Sequence, residues 1–144
     1  MLQSGPENTP HNYLEYYVSH IKPVINSLDI AIKCKDRLRN KDLAEILDLS
    51  ENEIEQIRTE QNIKHINQKS IMKILENGNN EICHLFQREM KTGSPFTYTI
   101  EQLAYIHHLD KNKLTSVCSL LNIKEITWQN MPEVFSAMPY ERTN

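Results

Sequence analysis

Two polar stretches of the chain carry side chains that suit contact with nucleic acid. In "DKNKLTSVCS", residues 110–119, lysines alternate with asparagine, threonine and serine. Lysine can meet a phosphate, while amide and hydroxyl side chains can meet base edges. In "KCKDRLRNK", residues 33–41, five cations stand against Asp36 alone. Both patterns are also compatible with ordinary solvated helix surfaces, the second because cations favour the C-terminal end of a helix.

A third stretch has the opposite charge. Residues 42–60 hold seven acids against one base, Arg58. Glu51 and Glu53 have a structural explanation, because the first turn of a helix favours negative charge. The other five acids have no such explanation. This face is expected to repel a polyanion, and it suits a basic protein surface instead.

The sequence contains no motif that indicates catalysis or a cofactor. There is no Gly-rich phosphate loop, no HExxH and no nucleophile elbow. Cys83-His84 and His107-His108 are adjacent pairs, and neighbours on a helix point about 100° apart, so they make poor metal clamps. We expect core thiols and surface imidazoles at these positions. The protein is therefore expected not to be an enzyme and to hold neither metal nor cofactor.

The composition favours a packed domain without a strong overall charge. The chain has 144 residues, of which 39% are hydrophobic and 24% charged, so a core can form. The net charge of −3 means that any nucleic-acid contact must come from a local patch. Polar residues at 1–10 and the absence of any long apolar run predict neither a signal peptide nor a membrane partner. Three cysteines without a CxxC spacing favour a cytoplasmic location.

The chain repeats itself at an offset of 60 residues. Segments 43–66 and 103–126 align without a gap, and nine of their 24 positions are identical. Average amino-acid usage gives roughly one or two such matches by chance. The identical pairs are Leu43/Leu103, Ala44/Ala104, Ile46/Ile106, Leu49/Leu109, Asn52/Asn112, Asn62/Asn122, Ile63/Ile123, Lys64/Lys124 and Ile66/Ile126. The repeat predicts an internal duplication.

Apolar spacing inside and around the repeat is helical throughout, so the predicted fold class is all-α. Each copy reads as a pair of helices. Pro23 is expected to separate two earlier helices, and Gly78 to end a later one in the left-handed conformation. The helices predicted outside the pairs span 12–21, 24–38, 68–77, 80–90 and 129–138.

Start signals support these helices. Ser50 with Glu53 forms a capping box, Thr99 with Gln102 repeats it, and Asp110 caps the helix that follows.

The first copy resembles the helix-turn-helix domains of the lambda-repressor and Cro family over about residues 24–78. The resemblance rests on a small residue in the first helix and on apolar residues around the turn and along the second helix. These residues are Ala44, Leu47, Leu49, Ile54 and Ile57. The sequence departs from the family at the turn, where Asp48 replaces the favoured glycine but tolerates the left-handed conformation.

The second copy fits the same pattern less well. Ala104, Leu109, Leu114 and Val117 match, but His107 stands where leucine is expected. In both copies the alanine is expected to lie buried between the paired helices.

The resemblance implies which side chains face DNA, because the family reads bases from the start and outer face of the second helix. In the second copy these are Asp110, Lys111, Asn112, Lys113, Thr115 and Ser116, with Ser119 one turn further on. In the first copy they are Ser50, Glu51, Asn52, Glu55 and Gln56. Family members also touch phosphate near the start of the first helix, which adds Arg37 and Arg39.

Two functions follow as expectations. The leading one is a DNA-binding transcriptional regulator of the repressor type, from a phage or mobile element, with tandem helix-turn-helix units. The alternative is a protein-interaction module, such as an antirepressor, whose acidic face at Glu51 and Glu55 binds another protein. A homodimer is also plausible, formed through the tyrosine-rich first helix or through the last helix.

The predicted organisation has four parts. Residues 1–10 and 139–144 are disordered ends. Residues 11–78 hold the N-terminal helix and the first unit, and residues 79–138 hold the second unit.

Overall fold

The computed structural model describes residues 9–33, 38–93 and 95–140. Its α-helices are α1 (Tyr13–Tyr16), α2 (Lys22–Lys33), α3 (Asn40–Leu47), α4 (Glu51–Glu60), α5 (Gln68–Asn77), α6 (Glu81–Thr92), α7 (Ile100–His107), α8 (Lys111–Leu120) and α9 (Met131–Ala137), with a π-helical segment at Tyr17–Ile21. An isolated bridge joins Tyr98 and Ile126, and the described residues contain no strand. The predicted all-α fold class is confirmed.

The chain forms two compact units. The middle unit consists of the described residues of Lys22–Ser94, and the split unit consists of those of Met1–Ile21 together with Pro95–Asn144. This division differs from the predicted boundary at residue 78. Helix α6 belongs to the middle unit because it packs on α5, and α1 belongs to the split unit because it packs on α9. The predicted disordered ends lie largely outside the described residues.

The local backbone repeats at the predicted offset. Helices α3 and α7 differ in position by 60 residues, as do α4 and α8. Asp48 and His108 follow the first helix of each pair in the left-handed conformation, with φ of 57° and 54°. In both turns the next amide, Leu49 or Leu109, donates to the carbonyl of the paired alanine at 3.1 and 3.0 Å. The left-handed geometry predicted for Asp48 is therefore confirmed.

The predicted caps are also present. The Ser50 hydroxyl accepts from the Glu53 amide at 3.0 Å, and the Glu53 carboxylate accepts from the Ser50 amide at 3.0 Å. Thr99 and Gln102 exchange the same two bonds, and Asp110 accepts from the Lys113 amide at 2.9 Å. These bonds satisfy amides that have no partner within the helix, and they fix where α4, α7 and α8 begin.

The core of the middle unit is aliphatic. Its fully buried side chains come from α3, α4, α5 and α6, and they are Leu43, Leu47, Ile54, Ile71, Ile74 and Cys83. Burial raises the pKa of the Cys83 thiol to about 11, so the thiol is neutral inside this core.

Gly78 ends α5 for a steric reason. A Cβ at this position would collide with the Cys83 side chain. Its φ of −72° is extended, so the predicted left-handed cap at Gly78 is wrong. The left-handed glycine is Gly93, which ends α6 with φ of 86°.

The core of the split unit contains a histidine at the position of Leu47. His107 is 8% exposed, so the expectation of a surface imidazole there is wrong. Its Nδ1 lies 2.7 Å from the Tyr13 hydroxyl in a buried hydrogen bond, and its ring meets the edge of Phe135 at 5.0 Å. A polar ring is tolerated here because both a hydrogen-bond partner and aromatic neighbours surround it.

Helix α1 seals the split unit by contact with α9. The Tyr13 amide donates to the Met138 carbonyl at 2.9 Å, and the Tyr13 ring meets Phe135 edge-on at 4.8 Å. Tyr16 stacks on Tyr140 at 5.0 Å. The tyrosine-rich face that the sequence suggested as a homodimer contact is therefore used within the unit.

Helix α6 does the same work in the middle unit. The Asn80 amide donates to the Leu47 carbonyl at 2.8 Å, and the Gln87 amide donates to the Gly78 carbonyl at 2.9 Å. Since Leu47 and Gly78 are the 60-residue counterparts of His107 and Met138, α1 occupies in one unit the place that α6 occupies in the other.

Pro23 does not separate two helices as predicted. The π-helical segment ends at Ile21 and α2 begins at Lys22, so helical structure continues through the proline. A proline ring inside an α-helix clashes with the carbonyl four residues earlier, here that of Ser19. A wider π turn over residues 17–21 changes the backbone at that carbonyl, as π-bulges commonly do.

The alanines of the two pairs differ in burial, which gives a prediction. Ala44 is 7% exposed, whereas Ala104 is only half-buried, contrary to expectation. Ala44→Leu should overpack the α3–α4 contact and lower the free energy of unfolding by about 1–3 kcal/mol. Ala104→Leu, the matched control, should cost less. Urea denaturation of both variants checks this, and equal losses would contradict it.

The bond between Tyr13 and His107 gives a second prediction. Tyr13→Phe keeps the ring packing and removes the hydroxyl, so it should lower the free energy of unfolding by about 1–3 kcal/mol. Tyr105→Phe on the exposed side of α7 is the control and should change little. Thermal denaturation of the two variants measures the difference, and a Tyr13→Phe protein as stable as wild type would show that the bond is not stabilising.

Candidate nucleic-acid interface

The side chains predicted to read DNA in the second copy lie on the open face of α8. They are all exposed, and they comprise Lys111, Asn112, Lys113, Thr115, Ser116 and Ser119. The buried side chains of the helix, Leu114 and Cys118, lie on the other side. The spacing of three and four residues keeps the two sets apart. One helix face therefore presents amide, hydroxyl and ammonium groups together.

Part of this face is already engaged. The Lys111 ammonium lies 3.2 Å from the Glu101 carboxylate on α7, and both groups are exposed. The backbone amide of Glu101 and then the Lys111 ammonium hold the pKa of that carboxyl below its usual value. The Thr115 hydroxyl donates to the Lys111 carbonyl at 2.8 Å. A phosphate at Lys111 must therefore displace Glu101.

Three polar side chains of α8 remain available. Asn112, Ser116 and Ser119 form no side-chain hydrogen bond within the part of the chain that the structure describes. Such groups are solvated, and a base edge can replace their water.

The first copy presents a different set of side chains. Asn52 and Gln56 are exposed on α4 as predicted, and Gln56 donates to Glu60 at 3.4 Å. Glu51 and Glu55 are exposed beside them. The open face of α4 is therefore acidic, as the sequence indicated.

Sequence reasoning missed a polar network that ties α4 to the start of α3. The Asn40 amide donates to the Glu55 carboxylate at 2.8 Å, and its carbonyl accepts from Arg58 Nη1 at 2.7 Å. Arg58 Nη2 donates to the Lys64 carbonyl at 2.6 Å. The only sequence signal was an arginine aligned with Cys118, which is buried in α8. The corresponding positions of the second copy, Ile100, Thr115 and Cys118, cannot form this network.

Arg58 also lies on the wall of an open groove at the start of α3, which we call the basic groove. Its lining residues are Leu38, Arg39, Asn40, Lys41, Glu51, Arg58, Lys64, His65 and Ile66. Arg39, a predicted phosphate contact, is partly engaged because its Nε lies 3.3 Å from Asp42. The Arg39 amide and then its guanidinium hold the pKa of Asp42 below its usual value. Arg37, the other predicted phosphate contact, lies outside the described residues.

Comparison with known proteins gives no family assignment: no family model, no curated protein and no solved structure matches the chain. Among the described residues, no helix has the length and apolar character needed to cross a membrane. No group of three or more histidine, cysteine, aspartate or glutamate side chains in that same part of the chain is placed to hold a metal ion.

The network at Asn40 gives a third prediction. Asn40→Ala removes the acceptor of Arg58 Nη1, so the free energy of unfolding should fall by about 1–3 kcal/mol. Glu55→Gln is the control, because its amide oxygen still accepts from Asn40 and the change should stay within about 0.5 kcal/mol. Urea denaturation tests both variants. An Asn40→Ala protein with wild-type stability would mean that the network does not hold α3 to α4.

Proposed function

We propose that the protein is a DNA-binding transcriptional regulator of the repressor type and that α8 reads base edges. The observation that carries this proposal is the set of exposed, unengaged side chains on one face of α8: Asn112, Ser116 and Ser119. The exposed lysines Lys111 and Lys113 flank them. Polar groups without protein partners beside cations match the chemistry of a major groove bounded by phosphates.

Each side chain has a distinct role in this proposal. Asn112 is placed for a bidentate contact with adenine, the commonest pairing of asparagine with DNA. Ser116 and Ser119 are placed for single hydrogen bonds further along the same groove. Lys111 contacts phosphate after releasing Glu101, so its contact is independent of sequence and sensitive to salt.

The paired helices support the proposal through their geometry. A short left-handed turn joins two helices of eight and ten residues in both copies. This arrangement suits the resemblance to lambda-repressor and Cro domains, in which the second helix of such a pair lies in the major groove. The exposed faces of α4 and α8 differ in chemistry, so a tandem regulator of this kind recognises an asymmetric DNA site.

The acidic face of α4 favours a second candidate, a protein-interaction module. Glu55 is held at 2.8 Å by Asn40, so its carboxylate is fixed before any partner arrives. Glu51 lies one turn earlier on the same exposed surface. A preorganised pair of carboxylates suits a basic protein surface, such as the DNA-binding face of another regulator.

Substitutions on α8 and α4 separate the two candidates. If α8 reads DNA, Lys111→Ala should weaken binding to all sequences and flatten the salt slope by about one unit. Asn112→Ala should relax the preference at one base pair, at a cost of about 1–3 kcal/mol there. Asn52→Ala changes the matching residue of the first copy and shows whether that copy also contacts bases. Fluorescence anisotropy with duplex DNA at two salt concentrations measures these affinities.

Two charge-removing variants complete the test. Glu101→Gln frees Lys111 and removes an acid near phosphate, so DNA affinity should rise. Glu55→Gln should leave DNA affinity unchanged or higher, whereas the interaction module predicts that it weakens a protein complex. A purified protein that binds no DNA at low salt, with only Glu55→Gln affecting a partner, would refute the DNA-reader proposal.

A further inference from the structure

We propose that the basic groove of the middle unit binds a phosphate group. This site is separate from the face of α8, and the inference does not depend on α8 reading DNA. Three observations carry it: the unneutralised charge of Arg58, the exposed cations around it, and the reversal of these charges at the matching positions of the split unit.

Arg58 supplies a positive charge that no acid neutralises. Its Nη1 and Nη2 donate to neutral acceptors, the Asn40 amide oxygen and the Lys64 carbonyl, at 2.7 and 2.6 Å. Its Nε is buried without a hydrogen-bond partner. Within the described ranges, no carboxylate lies at salt-bridge distance from this guanidinium. Because arginine stays protonated, a partly buried and unneutralised charge results, and an anion in the groove stabilises it.

Exposed cations surround this guanidinium. Lys41 and Lys64 are exposed and line the groove, together with the imidazole of His65. Glu51 is the one acid among the lining residues, and Glu55 beside them is bound to the Asn40 amide. Even with Arg39 offset by Asp42, the groove carries more positive than negative charge. Converging ammonium and guanidinium groups are typical of phosphate recognition.

The split unit has the same local backbone without this chemistry. The counterparts of Asn40, Lys41, Arg58 and His65 are Ile100, Glu101, Cys118 and Glu125. Lysine is retained only at Lys64 and its counterpart Lys124. Two positions have reversed or gained an acid, and the buried arginine is a cysteine. The cations of the groove are therefore not a by-product of the helix-pair backbone, and Lys124 provides a matched control.

The ligand chemistry is a phosphate group with its oxygens facing two lysines. Such a group belongs to a nucleic-acid backbone or to a small phosphorylated compound, and the groove chemistry is the same for both. Binding to a backbone phosphate adds affinity without sequence preference.

The test is a titration of the ¹⁵N-labelled full chain with inorganic phosphate, at an ionic strength kept constant with chloride. We expect saturable shifts of the amide signals of Asn40, Lys41, Lys64 and His65. Lys41→Gln and Lys64→Gln should each weaken phosphate binding about threefold to tenfold, as for exposed charge-assisted contacts. Lys124→Gln should leave it unchanged. These lysines are exposed, so the variants keep the fold, and their amide spectra verify it.

A second titration with a short DNA duplex distinguishes the source of the phosphate. If the duplex shifts the same amides and both groove variants weaken it, the ligand is a nucleic-acid backbone. If only inorganic phosphate and pyrophosphate do so, the ligand is a small phosphorylated compound. The proposal is overturned if phosphate gives no saturable shift at these amides, or if Lys124→Gln weakens binding as much as Lys64→Gln. Asn112→Ala reports on α8 alone, so failure there is distinguishable from failure here.

Discussion

The last residue of the first helix in each pair must be covered, and the rest of each unit is arranged around this constraint. In the middle unit that residue is Leu47, which is fully buried and whose carbonyl accepts from Asn80 at the start of α6. In the split unit it is His107, which needs a polar partner as well as cover. Tyr13 supplies both, through its hydroxyl and its ring. One buried position thus determines which helix completes each unit.

Local features of the fold could be predicted from the sequence because they depend on neighbouring residues. The offset of 60 gave matching helix pairs, and the capping residues gave their starting points. The left-handed turn at Asp48 followed from the few residue types that tolerate it. The pairing of α1 with α9 could not be predicted in this way, because it depends on contact between residues far apart in sequence. Gly78 misled for the same reason, since its constraint comes from Cys83.

The candidate site divides along the same line. Helical spacing correctly placed the predicted side chains of α8 on an exposed face. It could not show that Glu101 holds Lys111, or that Asn40 joins Glu55 to Arg58, because side-chain pairing between helices depends on their three-dimensional packing. The duplicated backbone has kept its turns while its surfaces have diverged. One copy gained a buried arginine among cations, and the other has a neutral thiol at the same position.

The bond from Tyr13 to Met138 sets an order of events during synthesis on the ribosome. Translation delivers the tyrosine-rich segment first and its binding surface on α9 last. The middle unit has all its helices before α9 exists, so it can fold while the first segment still waits, its aromatic rings in solvent. Closing so long a loop is entropically costly, and contacts between distant residues form slowly. The nascent chain therefore passes through a stage with an exposed aromatic segment, which is the kind of surface that chaperones bind.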